Sequence, residues 1–132
     1  MGTMLIATSA VMAGALGTAA TASAAADRYV AVALSPEKGP VGWGAEYSSE
    51  NGAQQRSLTE CSKSGGTHCV MAAWSENGCV ALAVGDRDAY GGYKNYWGMN
   101  GATVAAAEQA ALAKNGGGTI LVARCADSSG IG

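Results

Sequence analysis

One histidine, two closely spaced aspartates, four cysteines and a run of aromatics are the side chains of this sequence that could do chemistry. His68 stands beside Cys69, a juxtaposition that would suit an imidazole–thiolate nucleophile. Adjacent strand residues point to opposite faces, however, and an oxidised Cys69 has no thiolate to offer. His68 is therefore read as a solvated or packing side chain. In Asp86-Arg87-Asp88 a calcium loop would continue with an acid or amide at its fifth position and Glu at its twelfth. Tyr90 and Trp97 stand there, so the pattern fails. Paired carboxylates can run hydrolysis, and Glu37, in Pro36-Glu37-Lys38, adds a third acid in a comparable loop. Asp86, Asp88 and Glu37 are thus the candidate set for a small hydrolase, with solvated turns as the favoured reading. No convergent acid, base and nucleophile emerges, so no catalytic residue, cofactor or metal ligand is assigned, and an enzyme is the less favoured class.

The densest aromatic cluster is Tyr90, Tyr93, Tyr96 and Trp97, among Gly91, Gly92 and Gly98; Trp43 and Tyr47 fall in the corresponding earlier region. Exposed rings in a glycine-rich surface would stack on a glycan or anchor a protein partner. With Phe absent, the same rings are also wanted for the core, and the core reading is favoured over binding. The candidate binding patch is Trp43, Tyr90, Tyr93, Tyr96 and Trp97.

The elements that must position these groups come twice. Tyr29–Leu34 and Val41–Tyr47 read as strands, a capped helix runs from Ser49 to Cys61, and a strand follows over Cys69–Trp74. Cys79–Val84, Tyr96–Met99, a helix from Thr103 to Lys114 and the strand Thr119–Cys125 repeat that order. Ala107, Ala110 and Ala111, and Ala53, Ser57 and Cys61, give each helix a face of small side chains suited to close approach on a sheet. Lys114 and Asn115-Gly116 read as the end of the second helix. The expectation is an α+β domain, a tandem pseudo-symmetric repeat of strand–strand–helix–strand with antiparallel sheet and two helices. The repeats span about residues 28–76 and 78–126.

The chain has 132 residues, enough for one domain, and its 48% hydrophobic content leans on alanine, so large core formers are scarce. Residues 1–26 carry no charge. Met4 to Leu16 reads as a weakly apolar h-region, followed by small residues with cleavage signals at Ala22-Ser23-Ala24 and Ala24-Ala25-Ala26. The segment lacks a basic n-region, which places the start upstream or makes the signal atypical. It is read as a removed signal peptide, ahead of a disordered alanine-rich tail, and leaves 27–132 as the mature, secreted domain. The stretch is too short and too alanine-rich for a membrane-spanning helix. All ionisable side chains lie after it, with a net charge of −2, which offers no electrostatic footprint for nucleic acid or an anionic membrane. The partner expected is an unknown protein or glycan outside the cell, met by a monomer.

Cys61, Cys69, Cys79 and Cys125 lie 8, 10 and 46 residues apart, with no C-x-x-C knuckle for zinc. An even count behind an export signal reads as two disulfides. Superimposing the repeats matches Cys79 with Tyr29 and Cys125 with Trp74. If those matched positions touch, one repeat holds a Tyr–Trp contact where the other holds a covalent bond, which predicts Cys79–Cys125 and leaves Cys61–Cys69. Loop closure would make the two bonds contribute about 4 and 2.5 kcal/mol respectively. Asn77-Gly78 reads as a tight hairpin joining the repeats. That hairpin would give the strand at Cys79 a third neighbour, so either the bond bridges two packed sheets or one pairing is wrong.

Val41-Gly-Trp-Gly44, Ser48-Ser49, a helix ending in Cys61, the Gly-rich approach to Cys69 and Asn77-Gly-Cys-Val-Ala-Leu-Ala-Val-Gly-Asp86 carry a likeness. Over roughly residues 28–126 the chain resembles the family catalogued as domain of unknown function 4189, with Asn-Gly-Cys-x-Ala-Leu-Ala its most specific part. The resemblance implies an exported bacterial module, common in actinobacteria, with a two-disulfide α+β fold and no agreed activity to transfer. The second repeat departs from the first in lacking the helix-to-strand cysteine pair, with Asn115 and Ile120 at those places.

Overall fold

Val30, Val32 and Leu34 alternate with Ala31 and Ala33 along β1 (Tyr29–Leu34), and Val80, Leu82 and Val84 with Cys79, Ala81 and Ala83 along β4 (Cys79–Val84). Neither strand has a polar face, the pattern of a strand covered on both sides. The computed structural model describes residues 27–131 and supplies both covers; the expected signal peptide, residues 1–26, lies outside the described residues. β1 is the middle of an antiparallel sheet ordered β2-β1-β3, with β2 at Val41–Tyr47 and β3 at Val70–Glu76. β4 lies between β5 (Tyr96–Gly101) and β6 (Thr119–Cys125) in a second sheet, ordered β5-β4-β6-β7. Helix α1 (Glu50–Lys63) links β2 to β3, and α2 (Val104–Asn115) links β5 to β6. The strand–strand–helix–strand unit therefore occurs twice, in an α+β fold. The two-residue β7 (Gly130–Ile131), paired to the outer edge of β6, is an addition that the sequence did not announce.

The large and small residues of the central strands go to different layers. Val30, Val32 and Leu34 meet Val80, Leu82 and Val84 in one cluster between the sheets, joined by Val122 and Tyr93. Ala81 and Ala83 instead meet Ala107 and Ala111 of α2 on the outer face of their sheet. On the first sheet, α1 buries Ala53, Ser57 and Cys61. The order of layers is helix, sheet, sheet, helix. Gly42 shows how closely α1 sits: a Cβ there would lie 2.1 Å from the Ser57 carbonyl oxygen and 2.3 Å from the Cys61 nitrogen. Both helices start where a hydroxyl can cap them. Ser49 Oγ accepts from the Gly52 N–H at 3.0 Å and Thr103 Oγ1 from the Ala106 N–H at 3.1 Å. Gly116, at φ 79°, ends α2.

Asn77-Gly78 does not close a hairpin. Asn77 takes the left-handed conformation expected of it (φ 61°), but β3 and β4 belong to different sheets, and the dipeptide is the corner between them. Both sides of β4 are already occupied by β5 and β6, so no edge remains for β3. The Asn77 side chain instead fastens the corner to the start of β1, its Oδ1 accepting from the Arg28 N–H at 2.9 Å.

The disulfides are Cys61–Cys69 and Cys79–Cys125, as expected from the sequence. Tyr29 and Trp74 do touch, with ring centroids 6.3 Å apart. The superposition that pointed there is nevertheless two residues out of register. Cys79 faces Cys125 directly across β4 and β6, whereas Tyr29 faces Glu76 and Trp74 faces Ala31. Glu76 is thus the counterpart of Cys125, and the aromatic pair is a diagonal contact, which long rings can span and sulfurs cannot. Replacing Cys79 and Cys125 together by Ala should cost about 4 kcal/mol, against about 2.5 kcal/mol for Cys61 and Cys69. Urea unfolding of the two double variants measures the difference, and a reversed order contradicts the loop-closure account.

Candidate functional site

Three surfaces collect the side chains that could act. The first is the end of the molecule where the two β-hairpin loops meet. The loop 35–40 and its counterpart 85–95 are stitched by the Tyr93 N–H donating to the Pro36 oxygen at 2.9 Å. Glu37, Lys38, Asp88 and Tyr90 line an open cavity of about 390 Å³ there. Two of the three acids are therefore brought together, and Asp86 is not among the lining residues. Asp88 is committed to its own turn, with Oδ1 accepting from the Tyr90 N–H at 2.8 Å and the Gly92 N–H at 3.0 Å. Glu37 accepts from the Thr67 hydroxyl at 2.6 Å and pairs with His68 Nδ1. The Thr67 hydrogen bond, and then that from His68, hold the Glu37 carboxyl below its ordinary range. A general acid needs the opposite shift. His68 itself is exposed, and its neighbour Cys69 is oxidised, so no thiolate stands beside the imidazole.

The aromatic patch expected from the sequence is divided by the fold. Tyr93 is buried, only 8% exposed, with the Arg87 guanidinium 4.6 Å from its ring centroid. Trp43 and Tyr96 pack against the inter-sheet core, and the Arg124 guanidinium lies 4.1 Å from the Trp43 ring centroid. Only Tyr90, 89% exposed, and Trp97, 47% exposed, are substantially open to solvent among the five, and they come from different elements. The core reading holds for three of the five residues. The second surface is the groove of about 480 Å³ between β2 and α1, which Trp43 also lines beside the Arg56–Glu60 ion pair.

The third surface escaped the sequence reading. β3 and β5 are edge strands of different sheets, yet they run side by side along one flank. Gly98 of β5 permits this, because a Cβ on it would lie 2.4 Å from the Ala72 oxygen of β3. The Asn100 carboxamide crosses the seam and donates through Nδ2 to the Trp74 oxygen at 3.0 Å. These two strands carry Val70, Trp74 and Trp97, at 37%, 38% and 47% exposure, three of the four large exposed hydrophobics among the described residues. At the end of the seam an open cleft of about 500 Å³ is lined by Trp74, Glu76, Asn77 and Asn100, with backbone from Gly78 and Gly101. Glu76 hydrogen-bonds Asp27, which raises the Glu76 carboxyl; Asn77, and then Glu76, lower that of Asp27. The contact thus pushes the two carboxyls apart, Glu76 upward and Asp27 downward. A signal existed in the sequence: Val70-Met-Ala-Ala-Trp-Ser-Glu76 lacks the strict large–small alternation of the central strands.

Among the described residues no three His, Cys, Asp or Glu side chains converge on a metal position, and no helix is long and apolar enough to cross a membrane. The lowered Glu37 carboxyl has a consequence for pH. Its interactions contribute stability above the ordinary glutamate range and lose it as the pH falls through the folded-state value. Carbon-13 NMR should find the Glu37 midpoint below that of free glutamate, and Thr67→Val should move it upward. An unshifted midpoint in both proteins means that the Thr67 and His68 contacts do not persist in solution.

No curated protein and no solved structure matches the chain. The model of the family described as Domain of unknown function (DUF4189) matches residues 29–125, nearly the whole described domain, and by that match this small disulfide-stabilised chain belongs to the family.

Proposed function

We propose that the mature protein is an exported, monomeric module that acts by binding a partner outside the cell, with the β3–β5 flank as its contact surface. The observation that carries this reading is the placement of Val70, Trp74 and Trp97. In a chain without Phe, and with Leu34 and Leu82 the largest fully buried side chains among the described residues, two of three tryptophans stay outside the core. Trp74 stands opposite Ala31 on the α1 side and Trp97 opposite Ala83 on the α2 side, so these exposed rings suit a partner that wraps the flank of the two abutting strands. Export is supported by two disulfides, which persist in oxidising compartments, and by the uncharged, small-residue leader. The net charge of −2 speaks for a partner other than nucleic acid.

The carboxylates at the loop end support hydrolysis less well, because Glu37 and Asp88 are each committed to local hydrogen bonds. The test is retention of the mature protein on isolated bacterial cell envelopes in a sedimentation assay. The Trp74→Ala/Trp97→Ala variant should bind at least about tenfold more weakly, as expected for loss of buried tryptophan anchors, while keeping its circular dichroism. Equal retention of wild type and variant, or no retention of either, removes the reading.

A further inference from the structure

We infer that the cleft at the end of the β3–β5 seam is a subsite for a neutral oligosaccharide, with Trp74 as its stacking platform and Asn100 as a hydrogen-bonding rim. The inference rests on the binding reading above and names the ligand class. A pyranose ring presents an apolar face of C–H groups and an edge of hydroxyls, so a matching site combines an exposed aromatic face with side chains that both donate and accept. The cleft offers that combination. Trp74 is more than one-third exposed, and the ring is braced by Tyr29 at 6.3 Å between centroids. Asn100 holds its main chain at 3.0 Å, and the Tyr29 contact limits the side-chain freedom to be lost on binding. That bond uses one N–H of the Asn100 carboxamide, and the exposed side chain has a second N–H and an oxygen to offer a ligand.

Charge selects among sugars. Asp27 and Glu76 hydrogen-bond at the cleft, and Asp27 is fastened there by Asn77 Nδ2 at 3.1 Å. With the carboxyls of Asp27 and Glu76 gathered at the cleft and no Lys or Arg among the lining residues, an anionic saccharide would be repelled. A volume of about 500 Å³ is of the size that takes a small ligand. A protein segment would draw on Val70 and Trp97 as well, and its binding would not depend on Asn100.

The experiment titrates the mature protein with cellotetraose, chitotetraose and maltotetraose, with an oligogalacturonate as the anionic control, and follows amide and indole resonances by NMR. At least one neutral tetrasaccharide should shift the Trp74 and Asn100 signals saturably, with Kd in the millimolar range or tighter. Trp74→Ala should weaken it about tenfold. Asn100→Ala, which leaves the Tyr29–Trp74 contact in place, should weaken it severalfold, and Tyr90→Ala, at the loop end of the molecule and outside the cleft lining, should leave it unchanged. The inference is overturned if no neutral tetrasaccharide moves these resonances, or if the oligogalacturonate binds as tightly. It is overturned alone, with the binding reading intact, if the protein is retained on envelopes through Trp74 and Trp97 but no tetrasaccharide binds.

Discussion

Two strands buried on both faces set the terms for the rest of this molecule. β1 and β4 each have a helix on one side and the opposite sheet on the other, and their residues divide accordingly. Valines and leucines fill the space between sheets, which pack about 10 Å apart and need that volume. Alanines, with Gly42 and Ser57, line the helix side, where the backbones come close. Swapping the two sets by a register slip of one residue would leave one layer overfilled and the other void, so the alternation fixes the register of both sheets. Close approach brings little buried apolar area per residue, because an alanine removes little surface from water. Both disulfides lie in these thin helix-side layers. Cys61 is on the buried face of α1, and Cys79 and Cys125 sit in the small-residue cluster beneath α2. Covalent bonds reinforce the fold where its packing supplies least.

The two repeats keep the same scaffold down to an irregularity. β1 and β3 shift register between Val32 and Ala33, and β4 and β6 shift between Leu82 and Ala83, the matching place. What differs is decoration. Trp43 faces Val32 and so enters the inter-sheet core, whereas Trp97 faces Ala83 and leaves on the outer side. Where α1 ends in a disulfide, α2 ends in Asn115, whose Oδ1 accepts from Asn95 Nδ2 at 3.1 Å and whose own Nδ2 donates to the Gly117 oxygen at 2.9 Å. An amide network of local hydrogen bonds thus stands in for a covalent link. The two units share a frame, and their surfaces differ at single positions.

Packing two sheets face to face also decides which edges are available. An exposed strand edge invites unwanted pairing. Here β3 and β5 shelter one another along the seam, and Asn100 spans the remaining gap. The same juxtaposition ends in a cleft lined by two amides, Asn77 and Asn100, and the Glu76 carboxyl. The sheets form the core, and the exposed tryptophans lie at their margins, on β3 and β5.

Much of this was legible in the residues themselves. β1, β2, β4 and β6 begin and end where their composition says, because short apolar runs bounded by Gly, Pro or Asn leave little choice. Ser49, Thr103 and Gly116 marked the helix ends through local hydrogen bonding and backbone conformation, whereas the repeat led to the right cysteine pairing through a match two residues out of register. Three things were settled only by long-range packing. Asn77-Gly78 encodes a turn but not whether the strands beside it pair, since that depends on who already occupies the edges of β4. An aromatic residue near glycines can face a core or a solvent, and the register across β2 and β5 separated Trp43 from Trp97. The seam itself joins residues about 26 positions apart, Trp74 and Asn100, through the contact of two sheets, and no local pattern records where one sheet will lie upon another.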